Sequence, residues 1–209
     1  MDENGRRRVW TRILGEGGGK NVQEFDFMSN KFNLCPICGS KNVKCPGGRK
    51  WVCPDCGFDL YNNVAAAVGV IIQDKYKNVL FEVRAKEPRK GFVALPGGFV
   101  DCDESAEEAI IRECREEIGV DVSNPKFVCT NPNTYPYKNF VYKTCDIFFT
   151  VALPDKYDSI EDFIKALKPQ ESEVVGFVSY KVESMEDIEK IPLAFDSAKK
   201  TLVQFIGGR

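Results

Sequence analysis

β-Branched and aromatic residues gather in short runs along the chain, and polar or glycine-rich segments separate these runs. This pattern is typical of β-strands. Two such runs, over residues 63–74 and 77–85, predict adjacent strands joined by a polar turn. Further strand-like runs read KGFVALPGGFV, PKFVCT, NFVYKTCDIFFTVAL and VVGFVSY.

Helical periodicity marks the segments between and after these runs. Over residues 194–206, apolar side chains recur at the spacing of one helix face, which predicts a helix that closes the core. Residues 161–168 predict a short helix. Another helix is predicted to begin at Ser105, an N-cap with Glu108 as capping-box partner, and to end at Gly119. Strands flanked by helices without regular alternation favour an α/β layered domain with a mixed sheet.

The helix before Gly119 carries an unusual group of acidic residues in its last turns. Glu113 and Glu117 continue a stripe of small and apolar residues, and Glu116 flanks them. Like charges four residues apart cost a helix about 0.2–0.5 kcal/mol, and carboxylates near its end oppose the helix dipole at about 0.3–1 kcal/mol each. A bound divalent cation would reverse these signs, and oxygen ligands favour Mg2+ or Mn2+. The other interpretation is an ordinary acidic surface helix.

Four of the nine cysteines form two Cys-x2-Cys pairs. The pairs read CPICG and CPDCG and lie fourteen residues apart. Four thiolates close a tetrahedral site and leave no position for substrate, which predicts a structural zinc ion in a small ribbon over residues 31–61. Iron is the rival metal, and Cys45 lies outside both pairs. The predicted zinc ligands are Cys35, Cys38, Cys53 and Cys56.

Composition narrows the class of protein. The chain has 209 residues, 43% of them apolar, and a formal net charge of −2, so no overall basic field points to nucleic acid or a membrane surface. No apolar run approaches the roughly 18 residues of a membrane span, and the polar N-terminus is not a secretory signal. A soluble cytoplasmic protein is therefore predicted. Residues 1–30 predict a flexible leader, and residues 62–209 a second domain after the ribbon.

The segment over residues 98–120 resembles the signature of Nudix hydrolases, Gly-x5-Glu-x7-Arg-Glu-U-x-Glu-Glu-x-Gly-U, where U is a bulky aliphatic residue. Every charged and glycine position matches, and Cys114 is a small departure at the first U. The resemblance implies a Nudix-type α/β/α sandwich with a mixed sheet, preceded by the small four-cysteine zinc ribbon. It also implies that water attacks a diphosphate linkage. Relatives are commonly homodimers.

The resemblance also implies roles for individual residues of this segment. Glu113 and Glu117 would be the main Mg2+ ligands, and Glu116 would assist in metal binding and catalysis. The Gly98 carbonyl would add a ligand, and Arg112 would orient the glutamates through ion pairs.

The group that accepts the proton of the attacking water cannot be a histidine, because the chain contains no histidine. This absence excludes Ser-His-Asp and Cys-His nucleophile systems and leaves carboxylate, Lys, Tyr or Cys as the base. Relatives often use a glutamate on a later loop or strand. Glu173 is the candidate here, and Glu171 is the alternative.

A zinc ribbon before such a domain resembles NADH pyrophosphatases, including the fourteen-residue gap between the cysteine pairs. Those enzymes carry an aromatic-Pro-aromatic motif after the signature. This chain has the same central triplet, Tyr135-Pro136-Tyr137, but different residues on either side of it. Tyr135 and Tyr137 are predicted to stack on a purine or nicotinamide, and Arg84 to meet phosphate. The alternative is an aromatic loop that packs against the core. The resemblance implies a substrate such as NADH or ADP-ribose.

Two further functions stay open at the level of sequence. An NAD-capped RNA hydrolase would use the ribbon to present RNA 5′ ends, with Trp51 and nearby basic residues meeting base and phosphate. A nucleotide sensor or zinc-ribbon adaptor would use the same fold without catalysis, although the intact glutamate set argues against a silent site.

Overall fold

Two separate β-sheets organise residues 32–208, the part of the chain that the computed structural model describes. The residues predicted as a leader, 1–30, lie outside this range. The smaller sheet consists of β1 (Lys50–Val52) and β2 (Asp59–Tyr61), which pair antiparallel after a 3-10 turn at Pro46–Gly48. This sheet forms the body of the ribbon.

The larger sheet has six strands of mixed direction. Its strands are β3 (Ala65–Gln73), β4 (Asn78–Arg84), β5 (Val93–Ala94), β6 (Lys126–Tyr137), β7 (Phe140–Ala152) and β8 (Val174–Lys181). The order is β5-β4-β3-β7-β6, and β8 pairs with β4. β3 and β7 run parallel, whereas the other pairs are antiparallel. The predicted mixed sheet is confirmed.

Helices cover both faces of the larger sheet. They are α1 (Ala106–Glu117), α2 (Ile160–Ile164), α3 (Met185–Glu189) and α4 (Asp196–Gly207). Along β3, Val70 and Ile72 pack on the side of α1 and α2, while Ile71 packs on the side of α3 and α4. Burying each such side chain contributes about 1.5–3 kcal/mol. The α/β/α sandwich implied by the sequence is confirmed.

Strand β6 runs well beyond the short strand that the sequence predicts over PKFVCT. It continues to Tyr137 and forms a hairpin with β7, so Tyr135 and Tyr137 lie on a strand and not on a loop. Pro132 and Pro136 obscure this strand in the sequence because proline cannot donate to a sheet ladder. At the sheet edge, where β6 lies, proline is tolerated.

The helices of the described residues are all too short or too polar to cross a membrane.

Candidate active site

Helix α1 begins at a complete capping box, as predicted. The Ser105 hydroxyl accepts a hydrogen bond from the Glu108 N–H, and the Glu108 carboxylate accepts one from the Ser105 N–H. The helix turns its apolar side into the core, and this rotation carries Glu113 and Glu117 inward, where they are only 8% and 7% exposed. Glu116 remains exposed at the helix surface. Two of the three predicted metal-binding glutamates are therefore buried carboxylates.

A glycine loop before α1 fits closely around these two carboxylates. The Gly97 N–H donates to Glu117 Oε2 at 2.8 Å. A Cβ atom at Gly98 would lie 2.5 Å from Glu113 Oε1, so any larger residue there would displace the Glu113 carboxylate from its position. The Gly98 carbonyl accepts from the Val68 N–H at 2.8 Å, and a carbonyl oxygen has a second lone pair for another partner.

Arg112 links the other acidic residues of the site. Its Nη1 donates to Glu113 Oε1 at 2.8 Å and to Glu116 Oε2 at 3.2 Å. Its Nε and Nη2 bind the Glu104 carboxylate at 3.1 Å and 2.5 Å. Nη2 also donates to the Phe99 carbonyl at 3.0 Å. One guanidinium therefore fixes the orientation of two predicted metal ligands and ties them to the loop.

A further acidic residue, Glu82 on β4, is a direct neighbour of Glu117. It is 2% exposed, and its Oε2 has no hydrogen-bond partner among the described residues. Burial, followed by the charge of Glu117, raises the pKa of Glu82 well above its usual value. The sequence reasoning missed this residue. A single glutamate interrupts the apolar run VLFEV, but only the pairing of this strand with β5 and β8 at Glu82 shows that the residue is buried.

Burial disfavours the charged form of two carboxylates in this site. Burial raises the pKa of Glu117 to about 7, although the Gly97 N–H opposes the shift. Burial also raises the pKa of Glu113, against the effect of Arg112. Buried carboxylates that resist ionisation, together with the orphaned oxygen of Glu82, fit a site that gains a hard divalent cation.

The raised pKa of Glu117 predicts how stability depends on pH in protein dialysed free of added Mg2+. Between about 4.3, the value for an unfolded chain, and about 7, the folded state holds a proton that the unfolded state has released. The free energy of unfolding should fall as pH rises through this window, by roughly 4 kcal/mol from this group. Urea unfolding at a series of pH values measures it. Glu117→Gln should make the slope shallower, with Glu82 and Glu113 contributing the remainder, and an unchanged slope in that variant would contradict the assignment.

A cavity of about 390 Å³ joins the glutamates to an aromatic region. Arg84 Nη2 donates to the Tyr135 hydroxyl at 3.4 Å, and the guanidinium lies 5.1 Å from the Phe195 ring centre. The rings of Tyr135 and Phe195 are 5.5 Å apart. Tyr137 lies outside the cavity lining, 6.5 Å from Tyr135. Of the three residues predicted to bind substrate, the structure places Arg84 and Tyr135 at the cavity and Tyr137 beside it.

The two candidates for the general base occupy different positions. Glu173 lines the cavity just before β8 and forms an ion pair with Lys86. Glu171 is exposed and is not part of the cavity lining. The geometry therefore favours Glu173 as the group that faces a bound substrate.

The four cysteines of the ribbon come together as a compact cluster. Their sulfur atoms all lie within 4.8 Å of one another. Cys35 Sγ and Cys56 Sγ are 3.6 Å apart, and Cys38 Sγ and Cys53 Sγ are 3.7 Å apart. Sulfurs bound at about 2.3 Å to a tetrahedral zinc ion lie about 3.8 Å apart, so the cluster fits zinc. Cys45 does not belong to it.

The position of Trp51 disagrees with a role in reading an RNA base. The side chain is 5% exposed and packs edge-on against Phe32 with ring centres 4.9 Å apart. It is part of the small core of the ribbon. A module of this size has little apolar surface to bury, which explains why its one tryptophan serves packing.

Comparison with known proteins identifies the family of the part of the chain that contains the six-stranded sheet. The NUDIX domain matches residues 63–204. An NAD-capped RNA hydrolase of Schizosaccharomyces pombe is 30% identical over 122 residues, which make up 51% of this chain and 32% of the relative. An ADP-ribose pyrophosphatase of Methanocaldococcus jannaschii is 48% identical over 63 residues, which make up 30% of this chain and 37% of the relative. The match thus spans about a third of each of these two relatives.

A solved structure shows the same fold over most of the chain. The NUDIX hydrolase from Nitrosomonas europaea has a TM-score of 0.55 and 21% identity, covering 84% of this chain and 91% of its own. The resemblance drawn from residues 98–120 is confirmed by these matches.

Proposed function

This chain belongs to the NUDIX family, and we propose that it is a pyrophosphohydrolase that depends on Mg2+ or Mn2+ and cleaves the diphosphate linkage of an ADP-containing substrate such as ADP-ribose or NADH. One observation carries the proposal. Two buried carboxylates, Glu113 and Glu117, line the same cavity as Tyr135, which offers a stacking surface for a base. A nucleoside diphosphate derivative has a phosphate portion and an aromatic portion that match these two regions.

The acidic region would hold the cation through Glu113, Glu117 and Glu116, with the second lone pair of the Gly98 carbonyl. A cation bound there supplies neutralisation of the diphosphate charge and acidification of water. The protein contributes orientation. Arg112 holds Glu113 and Glu116 from one side. Such bonds to metal ligands commonly affect metal affinity or activity by about 10–100-fold.

Glu173 would take the proton of the attacking water. It lines the cavity and forms an ion pair with Lys86, so its carboxylate is held at the side of the cavity where a substrate would bind. The side chain is partly exposed, so the proton can pass on to solvent after each turnover.

The aromatic region would hold the base. Stacking of a base on an aromatic side chain contributes about 1–3 kcal/mol. Arg84 is engaged with the Pro88 carbonyl and the Tyr135 hydroxyl, so one of its roles is to fix the orientation of Tyr135. The guanidinium has further N–H groups that remain suited to a phosphate oxygen.

Hydrolysis of NAD-capped RNA is the second candidate, and the curated relatives of that name favour it. The NAD cap contains the same diphosphate linkage, so it would use the same cavity. The buried position of Trp51 removes one of the contacts that the sequence predicts between the ribbon and RNA.

A substrate panel tests the proposal. The protein is incubated with ADP-ribose, NADH, dinucleoside polyphosphates and NAD-capped RNA, with and without Mg2+, and the products are separated by chromatography. ADP-ribose or NADH should yield two monophosphate products, only when the cation is present. Faster turnover of NAD-capped RNA would favour the second candidate. Turnover of no substrate, or equal turnover without cation, would overturn the proposal.

A further inference from the structure

A buried carboxylate that the catalytic proposal does not use lies on the cavity wall at β7. Asp146 is 8% exposed. Its Oδ1 accepts a hydrogen bond from the Thr144 hydroxyl at 2.6 Å, and its Oδ2 accepts one from the Ser197 hydroxyl at 2.6 Å. No described lysine or arginine forms an ion pair with it. All three residues line the cavity.

This carboxylate lies next to the aromatic region. Ser197 belongs to the first turn of α4, and Phe195, the N-cap residue of that helix, forms the ring pair with Tyr135. A helix N-terminus normally attracts phosphate. Here the Asp146 carboxylate is bound to a side-chain hydroxyl in the first turn of the helix, and its negative charge opposes that of a diphosphate. The phosphate portion of a ligand is therefore directed to the acidic metal site, and the nucleoside portion to the surroundings of Asp146.

The hydrogen bonds around Asp146 determine which ligand groups fit there. Both hydroxyl protons, from Thr144 and Ser197, already point to the carboxylate. Each carboxylate oxygen keeps acceptor capacity after one such bond. The cluster thus presents acceptors to the cavity and no free donor. A ligand group that donates a hydrogen bond is bound favourably. A ligand group that can only accept a hydrogen bond is disfavoured, because its oxygen would face the carboxylate oxygens with no proton between them.

We propose that Asp146 is a specificity-determining residue that accepts a hydrogen bond from an N–H or O–H group on the nucleoside half of the substrate. The inference rests on the proposed function, since it places that half beside Tyr135. The donor is either the exocyclic amine of the base or the 2′-hydroxyl of the ribose. These two sources share the same chemistry, and the experiment below separates them.

A purely structural role for Asp146 is the competing explanation. The carboxylate connects β7 to α4 through Ser197. Strand β6 already has such a connection, because Asn131 Nδ2 donates to Thr201 Oγ1 at 3.0 Å and Thr201 Oγ1 donates to the Ser197 carbonyl at 2.8 Å. A neutral pair of this kind joins sheet and helix without the desolvation cost of a buried anion. The anion at Asp146 therefore needs a reason beyond that connection.

Binding without catalysis tests the inference. Calorimetry measures the dissociation constants of AMP, IMP and 2′-deoxy-AMP for the 209-residue, zinc-loaded protein in the absence of Mg2+. If the base amine is the donor, IMP should bind about 10- to 100-fold more weakly than AMP. If a ribose hydroxyl is the donor, 2′-deoxy-AMP should be the weak ligand. Equal binding of all three would overturn the inference, whatever variants show.

Two variants complete the test. Asp146→Asn keeps the shape but offers an amide N–H, so the preference for the donor-bearing ligand should fall to within about threefold or reverse. Ser197→Ala removes one internal hydrogen bond and keeps the carboxylate, so the preference should persist. Circular dichroism checks that both variants fold. Unchanged discrimination in folded Asp146→Asn would overturn the inference. Because these are binding measurements, they remain informative if the substrate panel shows no turnover.

Discussion

Replacing Glu117 by Gln is expected to lower kcat/KM for the best substrate of the panel by at least about a thousandfold, equivalent to about 4 kcal/mol of transition-state stabilisation. Glutamine has the same shape and can still accept a hydrogen bond from the Gly97 N–H, so the glycine loop keeps its conformation. What the variant loses is the negative charge of a nearly buried oxygen, and that charge is what would attract a divalent cation. Initial rates across a Mg2+ titration measure the effect.

The same helix offers a matched control for this variant. Glu107 lies in the first turn of α1, is exposed and is not part of the cavity lining. Glu107→Gln makes the identical chemical change and should leave kcat/KM within about twofold of the native value, as is usual for surface positions. Binding of Mn2+ followed by electron paramagnetic resonance should weaken in Glu117→Gln and not in Glu107→Gln. Native-like turnover by Glu117→Gln would refute the metal assignment.

Replacing Cys53 by Ser is expected to remove the zinc ion and unfold the ribbon, from residue 32 to about residue 62. Cys53 is 1% exposed and its sulfur lies 3.7 Å from that of Cys38. Structural zinc contributes roughly 10–16 kcal/mol to the folding of small modules of this kind, which the few buried residues here cannot replace. Elemental analysis should find one zinc per native chain and much less in the variant. Hydrogen exchange should show lost protection in β1 and β2.

Cys45 supplies the control for the zinc experiment. It lies in the same module, outside the cluster of four sulfurs. Cys45→Ser should keep one zinc per chain and normal protection. Strands β1 and β2 form a sheet of their own, so the six-stranded sheet should keep its protection in Cys53→Ser. Full zinc content in Cys53→Ser would show that the cluster is not the zinc site.

The features that sequence revealed are those with a short-range physical signature. The capping box at Ser105, the inward rotation of Glu113 and Glu117, and the paired cysteine turns all depend on residues a few positions apart. Their spacing is therefore visible in the chain. The glycine loop next to α1 belongs to the same group, since Gly98 is part of the recognised signature.

The features that sequence missed depend on distant partners. Glu82 looks like an exposed polar position of a half-buried strand until β5 and β8 pair with β4 at this residue and Glu117 of α1 lies against it. Asp146 lies between strands β3 and β6, and its partner Ser197 is 51 residues away. One of the functions left open by the sequence would use Trp51 to meet an RNA base, whereas its contact with Phe32 buries it. No local pattern encodes such contacts.

The prolines of β6 have a consequence for self-association. Pro132 and Pro136 are four residues apart, so their nitrogens point to the same side of the strand, and on an edge strand that side faces outward. If a second chain paired a strand with this edge, two of the backbone N–H groups needed for the hydrogen bonds would be absent. The prolines thus disfavour strand addition along this part of the border, which protects it against templated aggregation.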